Sequence, residues 1–309
     1  MVKGIFTLSN ILFLIFFLIA IATLSPLLAM SLGLVYSFLY SDYAENISSR
    51  INTIPLQIGI VLLGFTISLT TLVPIIDSYM LWILFFIIFS FSLSFALGNL
   101  LKIDLKLNIL LASGLSICGA TAIALIAPLI KSSNKFVFAS LAILFLFNTI
   151  AIILFPYAGK FLDMSNYEFG IFSALAIHDT GSVIGSALSY SNSSVEVAAS
   201  LKILRTLGLI PLILLLNYKF NNVQQTFSFP RFIIYFFIAL VISNVCDLSY
   251  SLVEYLKILS KSFIIFGIFC VGLQSSKIKF EELSYKPLIL ATIVWIAVIP
   301  IAYFVSISN

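Results

Sequence analysis

From its first residues the chain alternates apolar runs of about 20 residues with short polar stretches, the length a helix needs to cross the hydrocarbon core of a bilayer. Lys3 leads into a run from Ile5 to Ala22 whose end, Ala20-Ile21-Ala22, has the form of a signal-peptidase site. That run is longer than a signal segment, and a second one, Pro26 to Tyr40, follows directly. An uncleaved first span with a tight turn at Ser25-Pro26 is expected. A polar loop, Ser41 to Asn52, comes next, then spans over Ile54–Val73 and Tyr79–Leu101. A fifth span runs from Leu107 to Lys131 and, after a tight loop to Lys135, a sixth ends near Pro156. Beyond a loop from Ala158 to Glu168 lie five more spans: Phe169–Tyr190, Val195–Asn217, Phe232–Leu248, Tyr255–Leu273 and Pro287–Ser306. The pattern predicts an all-α polytopic membrane protein of about 11 transmembrane helices.

The fifth and seventh segments depart from a greasy span. Ser113, Gly114, Ser116, Cys118, Gly119, Ala120 and Thr121 fall close together in the middle of the fifth. Such a cluster has two readings. Small residues let helices pack closely, or the helix breaks there, which is tolerated at membrane depth only where protein or a water-filled cavity satisfies the freed backbone groups. The seventh segment holds Ala-Ile-His-Asp-Thr-Gly-Ser-Val-Ile-Gly-Ser-Ala from Ala176 to Ala187, as small and polar as the fifth. Discontinuous helices of this kind hold substrates near the midplane of secondary transporters.

Composition agrees with a chain that keeps little outside the lipid. Of its 309 residues 61% are hydrophobic and 9% charged, against about 25% charged in soluble domains. The net charge of +4 is small and spread out, so no nucleic-acid partner is expected. Cys118, Cys246 and Cys270 form no CxxC pair, which argues against zinc or a disulfide framework. No cofactor or metal is expected. Lys and Arg gather at segment ends. Eleven spans with an internal N-terminus put Lys3, Arg50, Lys102, Lys106, Lys160, Lys219, Arg231, Lys277, Lys279 and Lys286 inside, and Lys131, Lys135, Lys257 and Lys261 outside. This favours N-in, C-out. Gly59-Ile-Val-Leu-Leu-Gly64 echoes Gly267-Ile-Phe-Cys-Val-Gly272. That echo suggests an N-terminal helix (1–25) followed by two inverted repeats, 26–157 and 168–306.

Four ionisable residues stand out. His178 is the only histidine, and Asp179 follows it in mid-span; a charge there costs roughly 2.5–3.5 kcal/mol on insertion scales and by default faces a protein interior. The alternative is a buried structural pair. Lys202 and Arg205 are three apart and share a helix face. Inside the membrane they would bind an anion or neutralise Asp179; at its edge they would snorkel to headgroups. Enzyme motifs such as HExxH, GxSxG, a Walker loop or GxGxxG are missing, and no enzyme is expected.

Gly114-Leu-Ser-Ile-Cys-Gly-Ala-Thr-Ala-Ile, the Pro128-Leu-Ile-Lys131 after it, Ala176-Ile-His-Asp, and Lys202-Ile-Leu-Arg205 with Pro211 downstream resemble the sulfate exporter family, bacterial inner-membrane proteins of the YeiH type. The resemblance covers about residues 25–305. It implies an inverted-repeat secondary transporter, related to cation–proton antiporters and bile-acid transporters, that exports sulfate or a related sulfur oxyanion. The chain departs from that family's pattern at Ala127, where members commonly carry an acid, and at Thr180-Gly181-Ser182, where a glutamine-containing stretch is usual.

The expectation is therefore alternating access in a bacterial cytoplasmic membrane. Substrate would be held by Ser116, Cys118, Gly119, Thr121, His178, Asp179, Ser182, Lys202 and Arg205. A proton or sodium ion would couple, and a homodimer is one assembly the reading allows. Arg205→Ala is expected to abolish uptake and leave the fold intact. A cation–proton antiporter using Asp179 is the second reading, and an intramembrane enzyme acting on a lipid-linked substrate the third.

Overall fold

The computed structural model describes residues 2–51, 54–220, 231–246, 248–274 and 284–308, and every regular element among them is an α-helix. In chain order these are α1 (Val2–Thr23), α2 (Pro26–Leu39), α3 (Ser41–Ile51), α4 (Ile54–Gly64), α5 (Leu69–Leu100), α6 (Leu105–Ser116), α7 (Ala120–Leu129) and α8 (Asn134–Phe161). Then follow α9 (Asn166–Ala176), α10 (Thr180–Tyr190), α11 (Asn192–Leu207), α12 (Leu209–Phe220), α13 (Arg231–Val245), α14 (Tyr250–Leu273) and α15 (Tyr285–Ile307). The all-helical polytopic fold read from the apolar pattern is present.

Local chemistry sets the boundaries. Ser25 caps α2 through the Leu28 N–H and Pro26 supplies its first turn, which makes the expected turn after α1. The stretch expected as a polar loop is instead the amphipathic helix α3: Ala44 is buried while Asp42, Glu45 and Arg50 face out. Its polar residues occupy one face of a helix, and their number hides the apolar stripe on the other. Asn52 lies outside the described residues.

The expected third span is also shorter. α4 stops at Gly64, and a turn leads to Ser68, whose hydroxyl accepts the Thr70 N–H and starts α5. Asn244 of α13 fixes that turn, accepting from the Leu69 N–H at 2.9 Å and donating to the Ile67 carbonyl at 3.1 Å. α5 is then about 48 Å long at 1.5 Å per residue.

The largest revision concerns the two small, polar segments. Both are broken as expected, but neither crosses. Lys106 near the start of α6 donates from Nζ to the carbonyl of Lys131, just past α7, at 2.8 Å. A through-going helix would separate these residues by more than about 35 Å. α6 and α7 therefore form a re-entrant hairpin that returns to the end it left. α9 and α10 do the same from the opposite end. Phe169 and Tyr190 stack with ring centroids 4.0 Å apart, and the Tyr190 hydroxyl bonds the Met164 carbonyl. α8 crosses between the two hairpins, so they enter from opposite faces. Apolar length alone cannot separate a broken span from a hairpin, because a stretch of the same length serves either.

Re-entrance moves three lysines. Lys131 and Lys135 share the end that carries Lys102 and Lys106, whereas Lys160 lies at the other end with Asn192 and Glu196. Lys277 and Lys279 lie outside the described residues, as does 221–230, the middle of the polar stretch before Arg231.

The helices pack as two groups. α5, α8, α11, α12 and α15 surround the hairpins, and α1–α4, α13 and α14 form the second group. α4 and α14, which carry the two echoing Gly segments, pack against each other antiparallel, with Leu56 on Gly267 and Gly59 on Ile264. Gly33 of α2 and Gly272 of α14 bring backbones into contact: an added Cβ at Gly33 would lie 2.4 Å from the Phe269 carbonyl oxygen. The main seam between the groups is α10 against α14 and α2.

Candidate functional site

The two hairpins meet at their tips. In the first, Asp104 caps α6 through the Lys106 N–H, and α6 ends at Ser116. Ile117, Cys118 and Gly119 make the turn. Gly119 has φ +58°, a left-handed conformation that costs side-chain-bearing residues, and it stands as the N-cap of α7 without a capping side chain. In the second, a reciprocal cap between Ser165 and Glu168 starts α9, and the chain turns at Ile177 and His178. Asp179 then caps α10: its Oδ2 accepts from the N–H groups of Gly181 (3.0 Å) and Ser182 (3.2 Å) and from the Ser182 hydroxyl (3.4 Å). A Cβ added at Gly119 would lie 3.1 Å from the Asp179 Cβ and 3.4 Å from its Oδ1. One tip rests on the other.

Lys202 and Arg205 reach this junction from α11. They sit 10 and 13 residues past Asn192, about 15–20 Å into the helix, and both are fully buried. Interfacial snorkelling is thereby excluded. Their heads serve the ends of helices. Arg205 Nε donates to the Ser116 carbonyl at 2.8 Å, and Nη1 donates to those of Leu175 (2.7 Å) and Ala174 (3.2 Å). Lys202 Nζ donates to the Ile177 carbonyl at 2.8 Å. The last carbonyls of a helix lack internal partners and carry the negative end of its dipole. Two cations at the C-termini of α6 and α9 meet both demands. Among the described residues no ion pair joins either cation to Asp179 within 4 Å; the only such pair is Lys257–Glu196, far from the tips.

This arrangement revises one expectation. Arg205 supports three carbonyls from both hairpins, so its removal leaves buried acceptors without that donor, and Arg205→Ala is predicted to cost stability as well as transport. Trp295 of α15 completes the set, donating from Nε1 to the Ala176 carbonyl at 3.2 Å. Trp295 is absent from the residues expected at the site; nothing in the sequence around it distinguishes it from the chain's many other aromatic residues.

His178, 1% exposed, turns its ring toward the Leu115 backbone, and Nη2 of Arg205 has no hydrogen-bond partner among the described residues. That atom is buried, where an unpaired polar group is costly. The remaining expected residues lie close by. Ser116 is buried, with its hydroxyl on the Ser113 carbonyl at 3.3 Å. Cys118 is a buried free thiol at the first tip beside the Ala122 N–H. Thr121 is half-buried in the first turn of α7. All nine expected residues thus gather around the two tips, although Lys202 and most of Arg205 are spent on backbone carbonyls.

The junction holds a charge pattern. The positive end of α10 is met by Asp179, the negative ends of α6 and α9 by cations, and the positive end of α7 by no charged group of its own hairpin, only by the Cys118 thiol.

Similar proteins point to a membrane family. The chain is 32% identical over 290 residues to the UPF0324 membrane protein of Shewanella oneidensis, covering 92% of each chain. It is 30% identical over 289 residues to a UPF0324 membrane protein of Photobacterium profundum, covering 92% of this chain and 88% of the relative. It is 32% identical over 303 residues to one from Fusobacterium nucleatum, covering 88% and 87%. No solved structure matches the chain. The profile of the family described as conserved hypothetical protein 698 matches residues 4–291, and the chain belongs to that family of membrane proteins.

Proposed function

We propose that this protein is a secondary transporter that moves a small oxyanion of the sulfate class across a bacterial cytoplasmic membrane by alternating access. One observation carries the reading: two re-entrant hairpins from opposite faces touch at Gly119 and Asp179, beside the positive end of α7, which no charged side chain of its own hairpin caps, and the unpartnered Nη2 of Arg205. Helix N-termini and guanidinium groups both favour oxyanions. The resemblance of the Ser-Ile-Cys-Gly-Ala, His-Asp and Lys-x-x-Arg segments to sulfate exporters supplies the sulfur oxyanion. Transport rather than catalysis is proposed.

Charge asymmetry supports a cytoplasmic N-terminus. Lys102, Lys106, Lys131, Lys135, Lys219 and Arg231 gather at one end, and Lys160, Lys257 and Lys261 at the other. The richer end is the cytoplasmic one by the positive-inside rule, and α1 starts there.

Uptake of labelled sulfate, sulfite, a small sulfonate and a carboxylate control by proteoliposomes, with and without a pH gradient, tests the reading. Accumulation of one sulfur oxyanion is expected. A second reading, a cation–proton antiporter, draws on Asp179 being the lone carboxylate at the tips among the described residues. Sodium or proton movement without flux of any anion would make it the better account.

A further inference from the structure

All the hydrogen bonds of the Asp179 carboxylate among the described residues fall on one oxygen, Oδ2, which caps α10. The other, Oδ1, faces Gly119, 3.4 Å from where that residue's Cβ would stand. Gly119 is the N-cap of α7 and brings no side chain to the positive end of its own helix. The end that its own hairpin caps with no charged group thus stands beside a carboxylate oxygen from the opposite one. A buried, unpartnered donor flanks the same junction, Nη2 of Arg205 on α11. That combination is an anion seat with a side-chain anion already against it.

We propose that Asp179 occupies the oxyanion seat in the unloaded protein and is displaced by substrate with uptake of a proton, so that about one proton enters with each anion. This rests on reading the tips as an anion site. An oxyanion and an ionised carboxylate cannot share one helix end in a water-poor junction, because the two negative charges repel there with little screening. Protonation of Oδ1 on the side open to water removes the conflict and turns that oxygen into a donor to the arriving anion. The proton remains on Asp179 during transfer and leaves with the anion on the far side.

The groups that face Asp179 are compatible with this exchange. From the first hairpin comes Cys118, from α11 Lys202, and from its own turn the preceding His178, while Arg205 faces Cys118 and His178 instead. α4 contributes apolar Leu56 beside Gly181. Lys202 and Arg205 are engaged with carbonyls and neither comes within 4 Å of the carboxylate, so protonation breaks no direct ion pair and gives up only the longer-range attraction of Lys202. Asn at position 179 would keep an acceptor for the Gly181 and Ser182 N–H groups, which preserves the cap.

The test uses the full chain in lipid nanodiscs with labelled sulfate, sulfite and a small sulfonate as probes, in weakly buffered solution containing a pH indicator. The wild type is expected to take up about one proton per bound anion, and its affinity to weaken about tenfold per pH unit above the titration of Asp179. Asp179→Asn should bind with affinity independent of pH and no proton uptake. In proteoliposomes it should exchange anion for anion yet fail to accumulate it on a pH gradient. Glu196→Gln, in the surface ion pair with Lys257 away from the tips, should keep both the anion binding and the proton uptake. Anion binding by the wild type without proton uptake, or proton uptake that survives in Asp179→Asn, overturns the inference and leaves the transport reading standing. Absence of binding and flux for every anion in the wild type instead brings down the transport reading, and this inference with it.

Discussion

The ammonium of Lys106 lies 2.8 Å from the carbonyl oxygen of Lys131, although 25 residues and two helices separate them in the chain. That single bond fixes α6 and α7 as a hairpin, and the topology of the whole first half follows.

Sidedness checks it directly. Single cysteines placed at Lys106 and Lys131 should react with a membrane-impermeant maleimide from the same face, and cysteines at Lys160 and Asn192 from the opposite face. A through-going fifth span would label 106 and 131 from opposite faces.

Arg205 is predicted to matter first for stability. Arg205→Ala removes donors to the carbonyls of Ser116, Ala174 and Leu175. An unsatisfied buried acceptor costs about 1–3 kcal/mol, so thermal unfolding in detergent should shift by at least that order. Arg205→Lys should recover part of the loss, since an ammonium can still serve one or two of the three. An unchanged unfolding profile for Arg205→Ala would mean that these carbonyls find other partners.

Trp295→Phe isolates a smaller effect. The ring still packs against Phe147 and Phe155, while the Nε1 bond to the Ala176 carbonyl is lost. A destabilisation of about 1 kcal/mol is expected by denaturant titration in micelles. A loss several times larger would assign Trp295 a packing role that Phe does not fill.

Gly119→Ala should be worse than its size suggests. A left-handed conformation costs an alanine roughly 1–2 kcal/mol, and the added methyl would press on the Cα and Cβ of Asp179 at 3.1–3.2 Å. The variant should unfold at lower temperature. In a distance measurement between spin labels on the hairpins, the tips should stand farther apart. Unaltered tip spacing would show that Asp179 yields without cost.

Much of this site could be read from residue types. The small, polar stretches around Gly119 and Gly181 marked two breaks because lipid-facing spans have no use for them. His178, Asp179, Lys202 and Arg205 stood out because ionisable groups inside an apolar chain need a protein environment. The cap formed by Asp179 was not read, although Asp before Thr-Gly-Ser is an ordinary helix start. The return of each hairpin to its own side was not legible, because hydropathy records burial and carries no direction. Nor was the main task of the two cations, because carbonyl oxygens are present at every residue and leave no mark in the sequence. The helix α3 was hidden because most of its residues are polar, and it is plain once they are set around an axis.

Arg205 has one further consequence, and it is mechanical. Its guanidinium is bonded to Ser116 on one hairpin and to Ala174 and Leu175 on the other. It acts as a tie rod: neither tip can swing away alone without breaking charge-assisted bonds. The hairpins and α11 then move as one lever. In the transport reading proposed above, a change in which face the tips see would come from sliding along the seam that α10 shares with α2 and α14, with the tips still clasped.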